Sequence, residues 1–410
     1  MSAKTWILHG VLSAAVRVSA IILGVTIAAL PASAGTIKVG APIPQTGPFA
    51  SDGGVMEKAI KLAVSDLNKA GGVLGNQLEL QFFDIGDLTP DKLQAAAANL
   101  IDRGKADFIV TGYGGFGPDI PAFCPQGVPF IHNDAFTSVV AMMNDMKCTS
   151  IFNASDVETA YGRLMFEQIQ ALGHKFETKR LAIVHGPYEW EQGSTKAMAE
   201  AAKAQGWEIV VNEEVPYESV QWPGILSKIR DAKPSLVHIE VLDTGLTNTF
   251  LQQYRDNPVK GALVNAGYAA SIPAFGEVIS KGSVDGVLGM TLSSQLPGPE
   301  GDAFVKKWQA AYKEAPPWSL AAQLYDEVNM WAAAVTKAGS ASDHPAVVKA
   351  LKEITYKGYT GTLKFNDRFM IPAGETTQPS FLFQVQDKTL KPIMIGAKKV
   401  ADFIEPTWIK

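Results

Sequence analysis

Residues 36–84 read TIKVGAPIPQTGPFASDGGVMEKAIKLAVSDLNKAGGVLGNQLELQFFD. The run from Thr36 to Ala41 predicts a strand. The segment from near Asp52 to Gly71-Gly72 predicts a helix that stops at paired glycines, and Gln77 to Asp84 predicts a second strand. Strand, helix and strand make one crossover unit. The helix carries the chain back to the starting end of the sheet, so the two strands pair in parallel.

The unit repeats along the chain. Strands are predicted at Ala106–Thr111 and Val128–Ile131, with a helix opening at Thr89-Pro90-Asp91, where Thr89 is the N-cap and Pro90 the first helical residue. A second series follows: strand Arg180–His185, helix Glu191–Gln205, strand Trp207–Val211, helix Val220–Ala232, strand Ser235–Glu240, helix Thr244–Arg255 and strand Gly261–Asn265. Beyond it come a strand at Val284–Met290, helices near Gly298–Glu314, Leu320–Ala338 and Pro345–Ile354, and late strands at Thr360–Phe365 and Ser380–Gln386. Stripes such as Met330, Trp331 and Val335 read as core.

This alternation predicts an α/β protein of two lobes, each a mainly parallel sheet flanked by helices. The helical block from Gly298 to Ile354 has no strands of its own, so it must pack on an earlier sheet. Both lobes are then discontinuous: residues 35–155 with 290–367, and residues 156–289 with 368–410. No stretch has the composition of a flexible linker. The crossings are expected to be short and ordered, with hinges near Asn153–Asp156, Gly289–Ser293 and Asn366–Thr376, where strands end in turn-forming sequence.

Composition narrows the function. Of 410 residues, 47% are hydrophobic and 19% charged, which excludes a disordered chain, a coiled coil and a polytopic membrane protein. The net charge is −5 and the 36 basic residues are scattered, so no nucleic-acid partner is expected. In the first 34 residues only Lys4 and Arg17 are charged; the run Val18–Leu30 is apolar and Ala32-Ser33-Ala34 is a small-x-small cleavage site. This predicts a secretory signal cut after Ala34. A membrane anchor would need about 20 apolar residues, and Arg17 interrupts any longer run. Removing Lys4 and Arg17 leaves the mature chain two units more acidic. Export also removes ATP and NAD, and no cofactor is expected.

Cys124 and Cys148 are the only cysteines. In an exported chain they read as one disulfide or as two buried thiols. Neither sits at the cleavage point, so no lipid acceptor is expected there.

The most conspicuous motif is Gly112-x-Gly114-x-x-Gly117, followed by Asp134 about 20 residues later, as in a dinucleotide-binding fingerprint. Pro118 and Pro121 crowd the next helix, and the third strand of a lobe is the wrong place for it. The loop reads instead as a source of backbone N–H groups for a small carboxylate, or as a tight turn that touches no ligand. No catalytic constellation is found. There is no HExxH, no His pair at i, i+4, no CxxC, no Gly-x-Ser-x-Gly and no Walker A, so neither a metal site nor an enzyme is expected. His132, His185 and His238 at predicted strand ends read as structural. Aromatic residues do collect at strand ends: Phe49, Tyr113, Phe116, Phe136, Tyr188, Trp190 and Tyr268. Ligands of open α/β sheets bind beyond the carboxyl ends of the strands, so these rings are expected to line one cleft.

Several segments resemble the leucine/isoleucine/valine-binding family of periplasmic substrate-binding proteins that serve ABC transporters. They are Ile37-Lys38-Val39-Gly40 leading to Thr46-Gly47-Pro48-Phe49, residues 59–72 (AIKLAVSDLNKAGG) with Gly75-Asn76-Gln77-Leu78-Glu79-Leu80, residues 180–185 (RLAIVH), Tyr325-Asp326 and residues 361–366 (GTLKFN). The resemblance implies a monomeric, non-enzymatic periplasmic receptor with three hinge crossings. It would close on a small organic ligand and present it to ABC permease subunits.

In that family a serine-containing loop and an Ala-Thr segment hold the ligand carboxylate. The matching positions here are Gly114, Gly115 and Phe116, then Asp134, Ala135 and Phe136, so backbone donors remain and the hydroxyls are gone. Where amino-acid binders carry an ammonium partner, this chain has Leu242 or Asp243, then Gly267 beside Tyr268. Either Asp134 or Asp243 replaces that partner, or the ligand is an aromatic or other carboxylate without an amine. A ligand-sensing receptor of the same fold, amide- or amino-acid-responsive, is the alternative role.

Overall fold

The computed structural model describes residues 35–409 except 116, 219 and 281–283; the predicted signal segment, residues 1–34, lies outside the described residues. The first sheet contains β1 (Thr36–Ile43), β2 (Gln77–Asp84), β3 (Phe108–Val110), β4 (Phe130–His132) and β5 (Ile151–Asn153) in the order β2-β1-β3-β4-β5, all parallel. Its connections are α1 (Ala50–Lys69), α2 (Pro90–Ala97), the short α3 (Asp119–Phe123) and α4 (Thr137–Asp145). Helix α1 ends where the sequence predicts. Gly71 and Gly72 take φ of 104° and 80°, a region that favours glycine, and the Gly72 N–H donates to the Leu67 carbonyl at 2.8 Å. Thr89 is extended ahead of Pro90 at the start of α2, but its hydroxyl caps no N–H.

Helix α5 (Glu158–Ala171) leads to a second set: β6 (Arg180–His185), α6 (Glu189–Ala204), β7 (Glu208–Glu214), α7 (Trp222–Ala232), β8 (Leu236–Glu240), α8 (Thr244–Asp256), β9 (Leu263–Asn265), α9 (Phe275–Ser280) and β10 (Leu288–Thr291). These strands run in the order β7-β6-β8-β9-β10 and are parallel, the order of the first sheet repeated. Strand β10 is shorter than the predicted Val284–Met290, because Val284 to Val287 form a turn. Then come α10 (Pro299–Tyr312), α11 (Ala321–Ala338), α12 (His344–Glu353) and the hairpin of β11 (Tyr356–Gly358) and β12 (Gly361–Leu363). Strands β13 (Phe381–Gln386), β14 (Thr389–Ile395) and β15 (Lys398–Lys399) complete the second sheet as antiparallel neighbours of β10.

The chain is two-lobed. Helix α11 returns to the first sheet: Met330, Trp331 and Val335 are fully buried, and Trp331 stacks flat on Phe108 of β3 at 4.5 Å. Between β5 and α5, and again after β12, the chain crosses between the sheets. These two crossings are hydrogen-bonded to each other: the Asn153 N–H donates to the Phe369 carbonyl at 2.8 Å and the Ile371 N–H to the Asn153 carbonyl at 2.9 Å. Cys124 and Cys148 are joined by a disulfide, their Cα atoms 5.5 Å apart, tying the end of α3 to the approach of β5. Closing a loop of that length stabilises by about 3.5 kcal/mol in the chain-entropy picture. Among the described residues no helix is long and apolar enough to cross a membrane.

Candidate functional site

In both sheets the strand order reverses beside the first strand of the series, the position where open α/β sheets leave a crevice beyond their carboxyl ends. A cleft of about 260 Å³ lies there. From the first sheet it is lined by Phe49 and Asp52 after β1, Gly112 and Tyr113 after β3, Asn133, Ala135 and Phe136 after β4, and Ser155 after β5. From the second it takes Tyr188 and Trp190 after β6, Tyr217 after β7, Leu242, Asp243 and Thr244 after β8, and Tyr268 after β9. Tyr161 of α5, Thr291 of β10, and Ser319, Leu320 and Gln323 at the start of α11 close it.

Eight of these side chains are aromatic. Tyr161, Trp190 and Tyr268 meet one another edge to face, with centroids 5.0 to 6.0 Å apart. Phe49 meets Tyr113 at 5.9 Å and Tyr188 meets Tyr217 at 5.4 Å in the same way. Such pairs fix one another's orientation. Among the described lining residues there is no Lys, Arg or His.

Two carboxylates line the cleft, Asp243 and Asp52, and Asp52 lies in the first turn of α1, only 6% exposed. Its Oδ2 accepts a 2.8 Å hydrogen bond from the Tyr113 hydroxyl, and its Oδ1 is buried with no hydrogen-bond partner. Burial pushes the Asp52 carboxyl up to about 6, with the Tyr113 hydrogen bond opposing. An anion buried there without a cation costs free energy, and one of its two oxygens has no partner to offset that cost.

Two buried networks hold the walls. In the second lobe, Glu191 of α6 is fully buried. Its Oε2 accepts from the Tyr188 N–H at 3.0 Å, and its Oε1 accepts from the Leu242 N–H at 2.8 Å and from the Tyr217 hydroxyl. One carboxyl therefore pins the loops after β6, β7 and β8; burial pushes it up to about 7. In the first lobe, Asn133 donates to Glu327 Oε1 at 2.7 Å and accepts from Gln323 at 2.7 Å. This joins the loop after β4 to α11, and burial raises the Glu327 carboxyl well above its usual range.

The structure places the sequence-predicted residues as follows. Phe49, Ala135, Phe136, Tyr188, Trp190, Asp243 and Tyr268 stand together around the cleft. Gly114 and Gly115 lie behind its wall, where Gly112 and Tyr113 take the lining positions. The Gly114 N–H is spent on Asp134 Oδ1 at 3.1 Å, and the five-residue α3 that follows is too short to focus a helix dipole on an anion. Asp134 is fully buried and turned away from the cleft, toward His132; burial pushes its carboxyl up to about 7. Asp243 is exposed at the rim and caps α8 by accepting from the Leu246 N–H at 2.9 Å. Phe116 lies outside the described residues. Sequence reasoning missed Asp52, Tyr161 and Tyr217 as lining groups.

Residues 36–389 match the family model described as periplasmic binding protein. The chain is 24% identical over 380 residues to a Leu/Ile/Val-binding protein homologue of Brucella melitensis, covering 89% of this chain and 95% of that one. A solved structure from Silicibacter pomeroyi, named for branched-chain amino acid ABC transport, superimposes with a TM-score of 0.84 at 24% identity, covering 91% and 100%. A solute-binding protein of an ABC transporter from R. palustris, solved with benzoate, superimposes with a TM-score of 0.73 at 20% identity, covering 90% and 98%.

Proposed function

The chain belongs to the periplasmic binding protein family, the non-enzymatic solute-binding components of branched-chain amino acid type ABC transporters, and from that premise we propose that it captures an amine-bearing organic solute in the cleft between its lobes. It acts in the periplasm after removal of residues 1–34 and delivers the solute to membrane permease subunits. The lobes are residues 35–155 with 290–367 and residues 156–289 with 368–410, and they close about the three crossings.

The observation that carries the ligand class is Asp52. Its Oδ1 is buried and unpartnered, Asp52 lines the cleft, and an ammonium group that reaches this oxygen as the lobes move would satisfy it, while the eight rings take an apolar or aromatic remainder. A carboxylate guest without an amine, of the benzoate kind, finds the same rings. It meets Asp52 with no Lys, Arg or His among the described lining residues to offset the repulsion.

A thermal-shift screen of the mature chain tests the reading, with aliphatic and aromatic amino acids, their amine-free acids and simple amides as probes. A ligand at 100 times its dissociation constant adds about 2.7 kcal/mol of stability. Shifts are expected with amino acids and not with the matching amine-free acids; the reverse pattern overturns the assignment of Asp52.

A further inference from the structure

Behind the cleft wall, three side chains distant from any metal-binding spacing come together. Asp119 opens α3, His132 ends β4 and Asp134 follows two residues later. All three side chains are fully buried. His132 Nδ1 lies 3.0 Å from Asp134 Oδ2 and 3.7 Å from Asp119 Oδ2, and one donor atom from each residue falls within 4.8 Å of the others.

With both carboxyls ionised, neither oxygen of Asp119, neither ring nitrogen of His132, nor Oδ2 of Asp134 makes a hydrogen bond of ordinary geometry. Without a metal, the pairing open to the two carboxyls is a proton shared between them. Asp134 Oδ1 alone is engaged, by the Gly114 N–H at 3.1 Å. Among the described residues no lysine or arginine pairs with either carboxylate. Two carboxylates enclosed without a cation are costly, and one donor atom of each of the three residues lies within reach of a single ion.

We propose that Asp119, His132 and Asp134 bind one divalent metal ion of the zinc class beneath the loop 112–117. One imidazole nitrogen and two carboxylate oxygens are a donor set such an ion accepts. With bonds of about 2.0–2.2 Å, tetrahedral donors stand about 3.4 Å apart, and the separations of 3.0 and 3.7 Å fall either side of that value. The dication offsets both carboxylate charges. The Gly114 hydrogen bond orients Asp134 as an outer-shell contact orients a metal ligand. Because Gly112 and Tyr113 of this loop line the cleft, the ion also fixes part of the ligand wall. The residues lie 13 and 2 positions apart on separate elements, so no local spacing signature could reveal them.

The protein purified without a histidine tag and stripped with EDTA is the material for the test. After dialysis against Zn²⁺ it is expected to retain one ion per chain by elemental analysis, and Co²⁺ is expected to give visible d–d bands of a low-coordinate site. His132→Gln and Asp119→Asn, each checked for an unchanged circular dichroism spectrum, should weaken retention by roughly 100-fold or more. Failure of the wild-type protein to retain metal overturns the proposal, whatever the variants do. So does retention unchanged in a folded variant. In either case the cluster is neutralised by shared protons instead, and Asp119→Asn then raises the melting temperature with no metal present.

Discussion

The Tyr113 hydroxyl donates to Asp52 Oδ2 at 2.8 Å, bridging the loop after β3 to the first turn of α1. The bridge crosses the point where the strand order of the first sheet reverses, and it leaves the other Asp52 oxygen buried without a hydrogen-bond partner. Asp52→Asn keeps the acceptor for Tyr113 and removes the charge. Affinity for an amino-acid ligand should fall roughly 100-fold, the equivalent of about 3 kcal/mol for a desolvated charge-assisted bond. The unliganded melting temperature should not fall, because burial opposes the ionised carboxylate. Titration calorimetry of both proteins checks this, and equal affinities would remove Asp52 from the site.

The same carboxyl sets a pH dependence. Its folded value of about 6 lies above the 3.8 of the unfolded chain, so between those values the native state binds more protons. The contribution of Asp52 to unliganded stability, at most about 3 kcal/mol, is therefore lost as pH rises from about 4 through 6. Ligand binding runs the other way. An ammonium group needs the ionised form, so affinity should weaken about tenfold from pH 7 to pH 5. Glu191 and Asp326 are raised to about 7 and about 6 and add stability slopes of the same sign. The wild type is therefore compared with Asp52→Asn, and a binding profile equally steep in both would assign the dependence elsewhere.

The fold was legible because strand, helix and paired glycines recur in one short period, as residues 36–84 display. What escaped was short or balanced. Strand β5 is only Ile151–Asn153, and α5 carries polar residues at several buried positions, including Glu158 and Gln168. For the site, the strand-end rule reaches Phe49, Phe136, Trp190 and Tyr268, since each follows a strand. It cannot reach Asp52, which reads as an ordinary acidic residue complementing a helix N-terminus, nor Tyr161, which lies inside a helix. Asn133, Gln323 and Glu327 meet across nearly 200 residues of sequence, and only the returning α11 brings them together.

Glu191 is expected to be the most sensitive position in the second lobe. Glu191→Ala leaves the Tyr188 and Leu242 N–H groups and the Tyr217 hydroxyl without their acceptor, a loss of about 4 kcal/mol at 1–3 kcal/mol per stranded group. Gly186→Ala acts on the same network, because a Cβ there would run into both Glu191 carboxylate oxygens. Chemical denaturation gives the stability change. Ligand titration should show binding impaired in Gly186→Ala even where the chain folds, since Tyr188 and Trp190 are carried by the loop and helix that Glu191 fixes. Normal affinity in a folded Gly186→Ala would show that the network serves stability alone.

Closure of the lobes is the motion that the proposed role requires, and Asn153 marks where to look for it. This residue is fully buried at the first crossing. Its backbone pairs with Phe369 and Ile371 of the third crossing, its Nδ2 donates to the Asp134 carbonyl at 2.8 Å, and its Oδ1 accepts from the Ser155 N–H at 3.1 Å. Two crossings bound to each other bend together, so the lobes should rotate about one axis rather than drift apart. Small-angle scattering of the mature chain should give a smaller radius of gyration with a saturating ligand than without. Asn153→Ala strands the Asp134 carbonyl and the Ser155 N–H at a cost of about 2 kcal/mol, and it should blur the two-state difference by populating intermediate openings. Superimposable curves with and without a tight ligand would mean that the crossings are struts, and that the ligand enters a preformed cleft.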